Sequence, residues 1–167
     1  MHGIGDAEEA QKILDWVRAS EMDGCLPRCV RNGDAPEGWE YIGRGSFRSV
    51  WFSPSGVAYK VSHRVTIRNR QSVEEVANLA SAWEKEVPEG CRLPKFDKFH
   101  IDDELVVAIE RIVGDTLYEF VREGNDESDY YERMRDCERR YRLIDLHDEN
   151  VIIEESTGLL VPVDLGG

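Results

Sequence analysis

The first apolar rhythm along the chain is helical. Ala10, Ile13, Leu14, Trp16 and Val17 recur at three- and four-residue spacing between Asp6 and about Ser20, the stripe that a helix lays on a core. Asp6, with Glu9 three residues later, resembles a capping box in which Asp takes the Ser/Thr place. A turn-rich link follows from Asp23 to Gly38, carrying Gly24, Pro27, Gly33 and Pro36. The composition then changes to that of strands. Residues 39–42, 47–52 and 57–61 read as strands separated by Gly43-Arg44-Gly45 and by Ser53-Pro54-Ser55-Gly56, which predicts an antiparallel three-strand meander. Residues 70–86 return to the helical period through Val73, Val76, Leu79 and Trp83, and two more strands are predicted over 92–99 and 104–112. Past Gly114 the pattern predicts helices over 116–122 and 129–142, then two short strand-like pieces over 150–154 and 159–163. The expected fold class is α+β, with a compact five-stranded lobe that has one helix inserted after its third strand.

Composition narrows the function classes. The 167 residues include 34 acidic and 21 basic side chains, a net charge of −13. Such a surface repels phosphate backbones, so nucleic acid is not an expected partner. No apolar run reaches the eighteen or so residues that a membrane helix needs, and the N-terminus lacks the basic start and apolar stretch of a secretory signal. A protein that is cytosolic where it is made is expected. The four cysteines, Cys25, Cys29, Cys91 and Cys137, include only one close pair and no His-x-x-x-His, so ordinary reduced thiols are expected rather than a zinc site.

Four local features carry candidate chemistry. Gly43-Arg44-Gly45-Ser46 places two glycines in a turn between strands, where backbone N–H groups approach phosphate oxygens without a Cβ in the way. Lys60 falls in mid-strand between Val57 and Val61, placed to reach the same phosphates unless it is an edge-strand lysine facing solvent. A lysine so placed needs a counter-charge, and the next helix offers Glu74 and Glu75, of which Glu75 sits at the edge of the apolar face. Asp145-Leu146-His147-Asp148-Glu149-Asn150 is a polar loop ahead of an apolar strand, and Asp164 ends the last strand ahead of glycines. Asn150 and Asp164 together with nucleotide oxygens make a chemically sensible shell for Mg²⁺.

Taken in order, these pieces resemble the protein-kinase signature: a Gly-rich loop, Val-Ala-x-Lys as Val57-Ala58-Tyr59-Lys60, a helix glutamate, Asp-x-x-x-x-Asn as Asp145 to Asn150, and Asp-Leu-Gly at Asp164. The similarity covers roughly residues 40–167 and implies a two-lobed kinase-like fold: an N-terminal extension (1–38), an N-lobe (39–112) and a shortened, mainly helical C-lobe (113–167). It implies ATP and Mg²⁺ as cofactors, with Gly43, Gly45 and Ser46 at the phosphates. Val50 and Ala58 would lie over the adenine, and the backbone around Glu110 to Ile112 would bond its edge. Lys60 would pair the phosphates with Glu75, Asp145 would orient or deprotonate the acceptor hydroxyl, and Asn150 and Asp164 would hold the metal. Departures are Arg48 for the third glycine, Leu165 in Asp164-Leu165-Gly166, and Leu143-Ile144 ahead of Asp145. The C-lobe is expected to be truncated, as in the minimal effector kinases that bacteria deliver into host cells, which adds host delivery to the expected localisation. Asp145-Leu146-His147 is also similar to the aminoglycoside and choline phosphotransferases. The expected activity is a Ser/Thr-type protein kinase with a protein substrate or activating partner. The alternatives are a pseudokinase binding module and a small-molecule kinase of the aminoglycoside type.

Overall fold

The computed structural model describes residues 2–22, 34–45, 47–63, 69–126, 128–142 and 146–164. The chain divides into two compact units, Met1–Val73 with Lys95–Arg111 and Glu74–Pro94 with Ile112–Gly167.

The first unit is a helix laid on a sheet. Helix α1 (Ala7–Met22) is followed by β1 (Glu40–Arg44), β2 (Arg48–Phe52), β3 (Val57–Ser62), β4 (Phe96–Ile101) and β5 (Glu104–Glu110). The strands form an antiparallel sheet in the order β1-β2-β3-β5-β4, so β3 is central. The apolar stripe predicted for α1 is its buried face: Ala10, Ile13, Leu14 and Val17 pack with Trp39, Trp51, Val57, Tyr59, Val61, Val106 and Ala108. Burying this many large side chains, at roughly 1.5–3 kcal/mol each, is the main force holding helix to sheet. Asp6 caps α1, its Oδ1 accepting from the Glu9 N–H at 2.7 Å. The other half of the expected capping box is replaced, because the Glu9 carboxylate accepts instead from the Ser55 hydroxyl at 2.6 Å.

The chain ahead of α1 is pinned rather than trailing. The His2 and Ile4 N–H groups donate to the Asp97 carboxylate at 3.2 and 2.8 Å, and the Asp6 N–H donates to the Tyr59 hydroxyl at 2.9 Å. Gly5 makes this approach possible, since its φ is +68° and a Cβ there would collide with that hydroxyl. Burial and the neighbouring carboxylates push the Tyr59 phenol well above its ordinary range, so it stays a neutral partner.

Helix α2 (Arg70–Trp83) runs across the boundary between the units. Its start is tied to the first unit: Asn69 donates to the Asp103 carbonyl at 2.7 Å, and its Oδ1 accepts from the Leu105 N–H at 3.3 Å. The second unit continues with β6 (Gly114–Thr116), α3 (Leu117–Arg122), α4 (Ser128–Tyr141), β7 (Val151–Glu154) and β8 (Leu160–Pro162). Helices outweigh strands here as expected, the two short strands expected over 150–154 and 159–163 are β7 and β8, and β6 joins them in a second antiparallel sheet. Strand β6, which sequence reading left out, is three residues long and pairs with β7 through Gly114↔Glu154 and Thr116↔Ile152. A strand so short has no periodicity to detect. The strand expected over 92–99 also begins later, at Phe96, and Cys91 instead bridges in parallel to Leu160. The helix expected at 116–122 is present, and Thr116 closes a full capping box with Glu119.

An ion pair fixes the far end of the second sheet. Arg92 Nε donates to Glu154 Oε1 at 2.9 Å, and a second bond runs from Arg92 Nη2 to Oε2. These bonds, with help from the Thr157 hydroxyl, hold the Glu154 carboxyl below its ordinary range against the opposing effect of burial. A depressed carboxylate stabilises the fold above its unfolded value of about 4.3, and that contribution disappears as pH falls through the folded value. Glu154→Gln should therefore lower stability at neutral pH by about 1–2 kcal/mol, the range for a charge-assisted hydrogen bond discounted for partial exposure. It should also flatten the loss of stability below about pH 4.3. Denaturant titrations from acid to neutral pH measure both; parallel pH curves for parent and variant would contradict the assignment.

Candidate functional site

In the first unit the strand alternation sorts the side chains. Trp51, Tyr59 and Val61 face α1. The register pairs Val50 with Lys60, Phe52 with Ala58, Lys60 with Val107 and Ala58 with Ile109, so these residues share the opposite face. Lys60 is therefore not an edge-strand lysine. It lies in the central strand with 6% of its surface exposed, where an ammonium must be compensated by partners. Val50, Ala58 and Lys60, three of the positions expected at a nucleotide, are brought onto one face.

The glycine turn closes as a hairpin next to that face. Gly43 pairs with Val50 and Arg44 with Ser49, a bulge at Ile42 shifts the register, and the Gly45 N–H donates to the Arg48 carbonyl at 2.8 Å. Such a bulge twists and re-aims the end of a hairpin. A Cβ built on Gly43 or Gly45 meets open space, so neither glycine is required by packing. The His63 N–H donates to the Phe47 carbonyl at 2.7 Å, tying the hairpin to the end of β3. Burial keeps the His63 imidazole below its ordinary pKa range. Ser46 lies outside the described residues.

Sequence reading passed over Arg48, noting it only where a glycine was expected. It is 5% exposed and, two residues from Val50, belongs to the Lys60 face, which thus carries two buried cations. The signal was an arginine within a strand pattern, which exposure-based reasoning assigns to solvent. At the other end of the face, Glu110 pairs with Val57, and its N–H donates to the Lys95 carbonyl at 3.0 Å. The Arg111 guanidinium lies over the Phe52 ring, 4.4 Å from its centre.

In the second unit, burial separates the two glutamates of α2. Glu75 is completely buried, whereas Glu74 is only partly so. Glu75 sits within the buried face of Ser72, Val76, Leu79 and Ala82 rather than at its edge, and a carboxylate buried like this is retained only with polar partners. Ile112 is buried at the start of the chain segment leading to β6.

The loop before β7 is braced from three sides. The His147 N–H donates to Asn150 Oδ1 at 3.0 Å, the Tyr118 N–H donates to the Asp148 carbonyl at 3.0 Å, and the Tyr131 hydroxyl donates to Asp148 Oδ2 at 2.9 Å. Asn150 and Asp164 flank the same end of the β7–β8 ladder in the chain: Val151 pairs with Pro162, and the Val163 N–H donates to the Asn150 carbonyl at 2.9 Å. Both carry hard oxygen atoms of the kind magnesium takes. Among the described residues no group of three or more His, Cys, Asp or Glu side chains could hold a metal alone. A magnesium ion bound with a nucleotide needs only one or two protein oxygens, so the donor pair fits that use. Asp145 lies outside the described residues, as do Leu165 and Gly166. No helix among the described residues is long and apolar enough to cross a membrane.

Comparison with known protein families returns no match, and comparison with curated proteins returns none either.

Proposed function

We propose that the chain is an ATP- and Mg²⁺-dependent phosphotransferase with a kinase-like fold, acting on protein Ser or Thr hydroxyls. The observation that carries this reading is Lys60: a buried lysine in the central strand, on the same face as Val50 and Ala58, next to a hairpin whose glycines packing does not require. A fold gains nothing from an ammonium there that an apolar side chain would not supply better, so the charge is there for a ligand's charge or for a switchable partner. The second buried cation on that face, Arg48, suits the same polyanionic ligand.

In this reading the first unit supplies apolar cover from Val50 and Ala58 and positive charge from Lys60 for the phosphates. Since the Glu110 N–H is already donated to Lys95, hydrogen bonds to the base would come from the Glu110 carbonyl and from the backbone of residues 111–112. By the kinase resemblance, Glu75 would be the carboxylate that orients the lysine. Asn150 and Asp164 would hold magnesium, which when bound would supply neutralisation of the phosphate charge. Asp145 accepts the proton of the attacking hydroxyl. Such chemistry asks mainly for positioning and charge neutralisation.

Mg-ATP at a hundred times its Kd should add about 2.7 kcal/mol of stability by mass action. A thermal-shift titration with calorimetry measures this, and a flat response to millimolar Mg-ATP would remove the nucleotide site. Asp164→Ala and Asn150→Ala should raise the magnesium concentration needed for binding and turnover while leaving the fold intact, because each deletes an oxygen ligand rather than core volume. Unchanged magnesium dependence in both variants would overturn the ligand assignment.

A further inference from the structure

We propose that Cys91 and Cys137 form a redox-active dithiol, a modification site that closes to an intramolecular disulfide on reaction with a hydroperoxide. Both cysteines are free, and both lie in the second unit with 6% and 0% of their surfaces exposed. Cys91 belongs to an extended segment that joins the edge of β8: the Arg92 N–H donates to the Leu160 carbonyl at 3.1 Å and the Leu160 N–H to the Gly90 carbonyl at 3.0 Å. Cys137 is on α4, one turn beyond Arg133, and the Cys91 thiol donates to the Arg133 carbonyl at 3.7 Å. The strand segment thus seats the Cys91 sulfur against the turn of α4 that runs from Arg133 to Cys137, and Cys137 is the group that acts most strongly on it.

The approach of segment and helix is built in at Gly90, which has a φ of +76° and where a Cβ would sit 2.7 Å from Arg133 Nε. Arg133 crosses this junction, donating to the carbonyls of Gly90 and Gly158 at 3.5 and 3.3 Å and pairing with Asp129. Its charge is the cation facing the thiols. Asp136 contributes an opposing charge, and the buried hydroxyl of Tyr141 lies in the same surroundings with no hydrogen-bond partner among the described residues. The two sulfurs are consequently unequal. The hydrogen bond from Cys137, supported by Arg133, draws Cys91 below the ordinary thiol range, while that same bond and burial push Cys137 far above it. Cys91 is also the more exposed of the two and the one bound at the Arg133 turn, so it is the sulfur that a peroxide reaches first and Cys137 the one that resolves.

The chemistry balances as follows. The Cys91 thiolate attacks one oxygen of the peroxide, an S–O bond forms as the O–O bond breaks, and the departing oxygen leaves with a proton as water or alcohol. The Cys137 sulfur then displaces the sulfenic hydroxyl, which leaves as water with the Cys137 proton. Two thiols and one hydroperoxide give one disulfide, one water and one alcohol, or two waters from hydrogen peroxide.

The full chain carrying Cys25→Ser and Cys29→Ser retains only these two of its four cysteines. Treated with hydrogen peroxide, it should lose about 2 Da and both alkylatable thiols, yield a peptide joining Cys91 to Cys137, and recover with dithiothreitol. Adding Cys137→Ser should leave a Cys91 sulfenic acid that dimedone traps, whereas adding Cys91→Ser should leave Cys137 reduced at the same peroxide dose. Circular dichroism confirms that each variant is folded, and the parent double variant carries the test if one is not. Two thiols still alkylatable after peroxide, disulfides formed only between chains, or Cys137 oxidised ahead of Cys91 would each overturn the proposal.

Discussion

Asp145→Asn should reduce phosphoryl transfer by about a hundred- to ten-thousand-fold, the range that positioned acid–base groups contribute, with ATP affinity nearly unchanged. On the proposed function, the aspartate touches the acceptor hydroxyl and not the nucleotide. The amide is almost isosteric with the carboxylate, so packing should survive, but it can neither accept the hydroxyl proton nor carry negative charge. Lys60→Ala should behave differently, weakening ATP binding and turnover together, because the lysine faces phosphate in both the ground and the transition state. Single-turnover rates alongside calorimetric ATP affinities separate the two patterns. If Asp145→Asn phosphorylates a genuine substrate at the parent's rate, the catalytic role is wrong. If the parent binds Mg-ATP yet transfers nothing with any partner, a binding module takes the place of the enzyme.

Gly114→Ala should destabilise the protein by about 3 kcal/mol, combining backbone strain with the loss of a ladder hydrogen bond or two. Gly114 opens β6 with φ +157°, and a Cβ there would overlap the carbonyl oxygen of Ile153, a backbone atom that cannot swing aside. The pairing at stake includes Gly114↔Glu154 and the bond from the Glu155 N–H to the Val113 carbonyl. Thr116, which caps α3, is the last residue of the same strand. At roughly 2–4 °C per kcal/mol for a chain of this size, the melting temperature should fall by roughly 6–12 °C. A melting curve within about 2 °C of the parent would show that the β6–β7 pairing tolerates a side chain here.

The amino-acid sequence determined on its own the features governed by near neighbours. Period-two apolar runs broken by Gly43-Arg44-Gly45 and Ser53-Pro54-Ser55-Gly56 were enough to place β1, β2 and β3. The stripe through Ala10, Ile13, Leu14 and Val17 was enough to place α1 and its buried face. Asn150 and Asp164 could be singled out because polar oxygen donors beside apolar strands are conspicuous in a linear string. The tertiary structure decided everything that depends on distant partners. Whether Lys60 is a solvated edge charge or a buried one depends on β5 pairing along it from Val107 to Glu110, some fifty residues on. The apolar pattern of α2 already favoured Glu75 over Glu74, but only the packed helix shows that its carboxylate is completely buried. The Glu9 carboxylate left its expected cap for Ser55, a residue that only the folded sheet brings near. Strand β6 and the segment at Gly90 to Arg92 exist as extended chain because β7 and β8 present open edges to them, a demand for backbone hydrogen bonds that no local pattern encodes. Cys91 and Cys137 are the clearest case. Forty-six positions apart, they read as two unrelated thiols until a strand edge brings Cys91 against the turn of α4 that leads to Cys137.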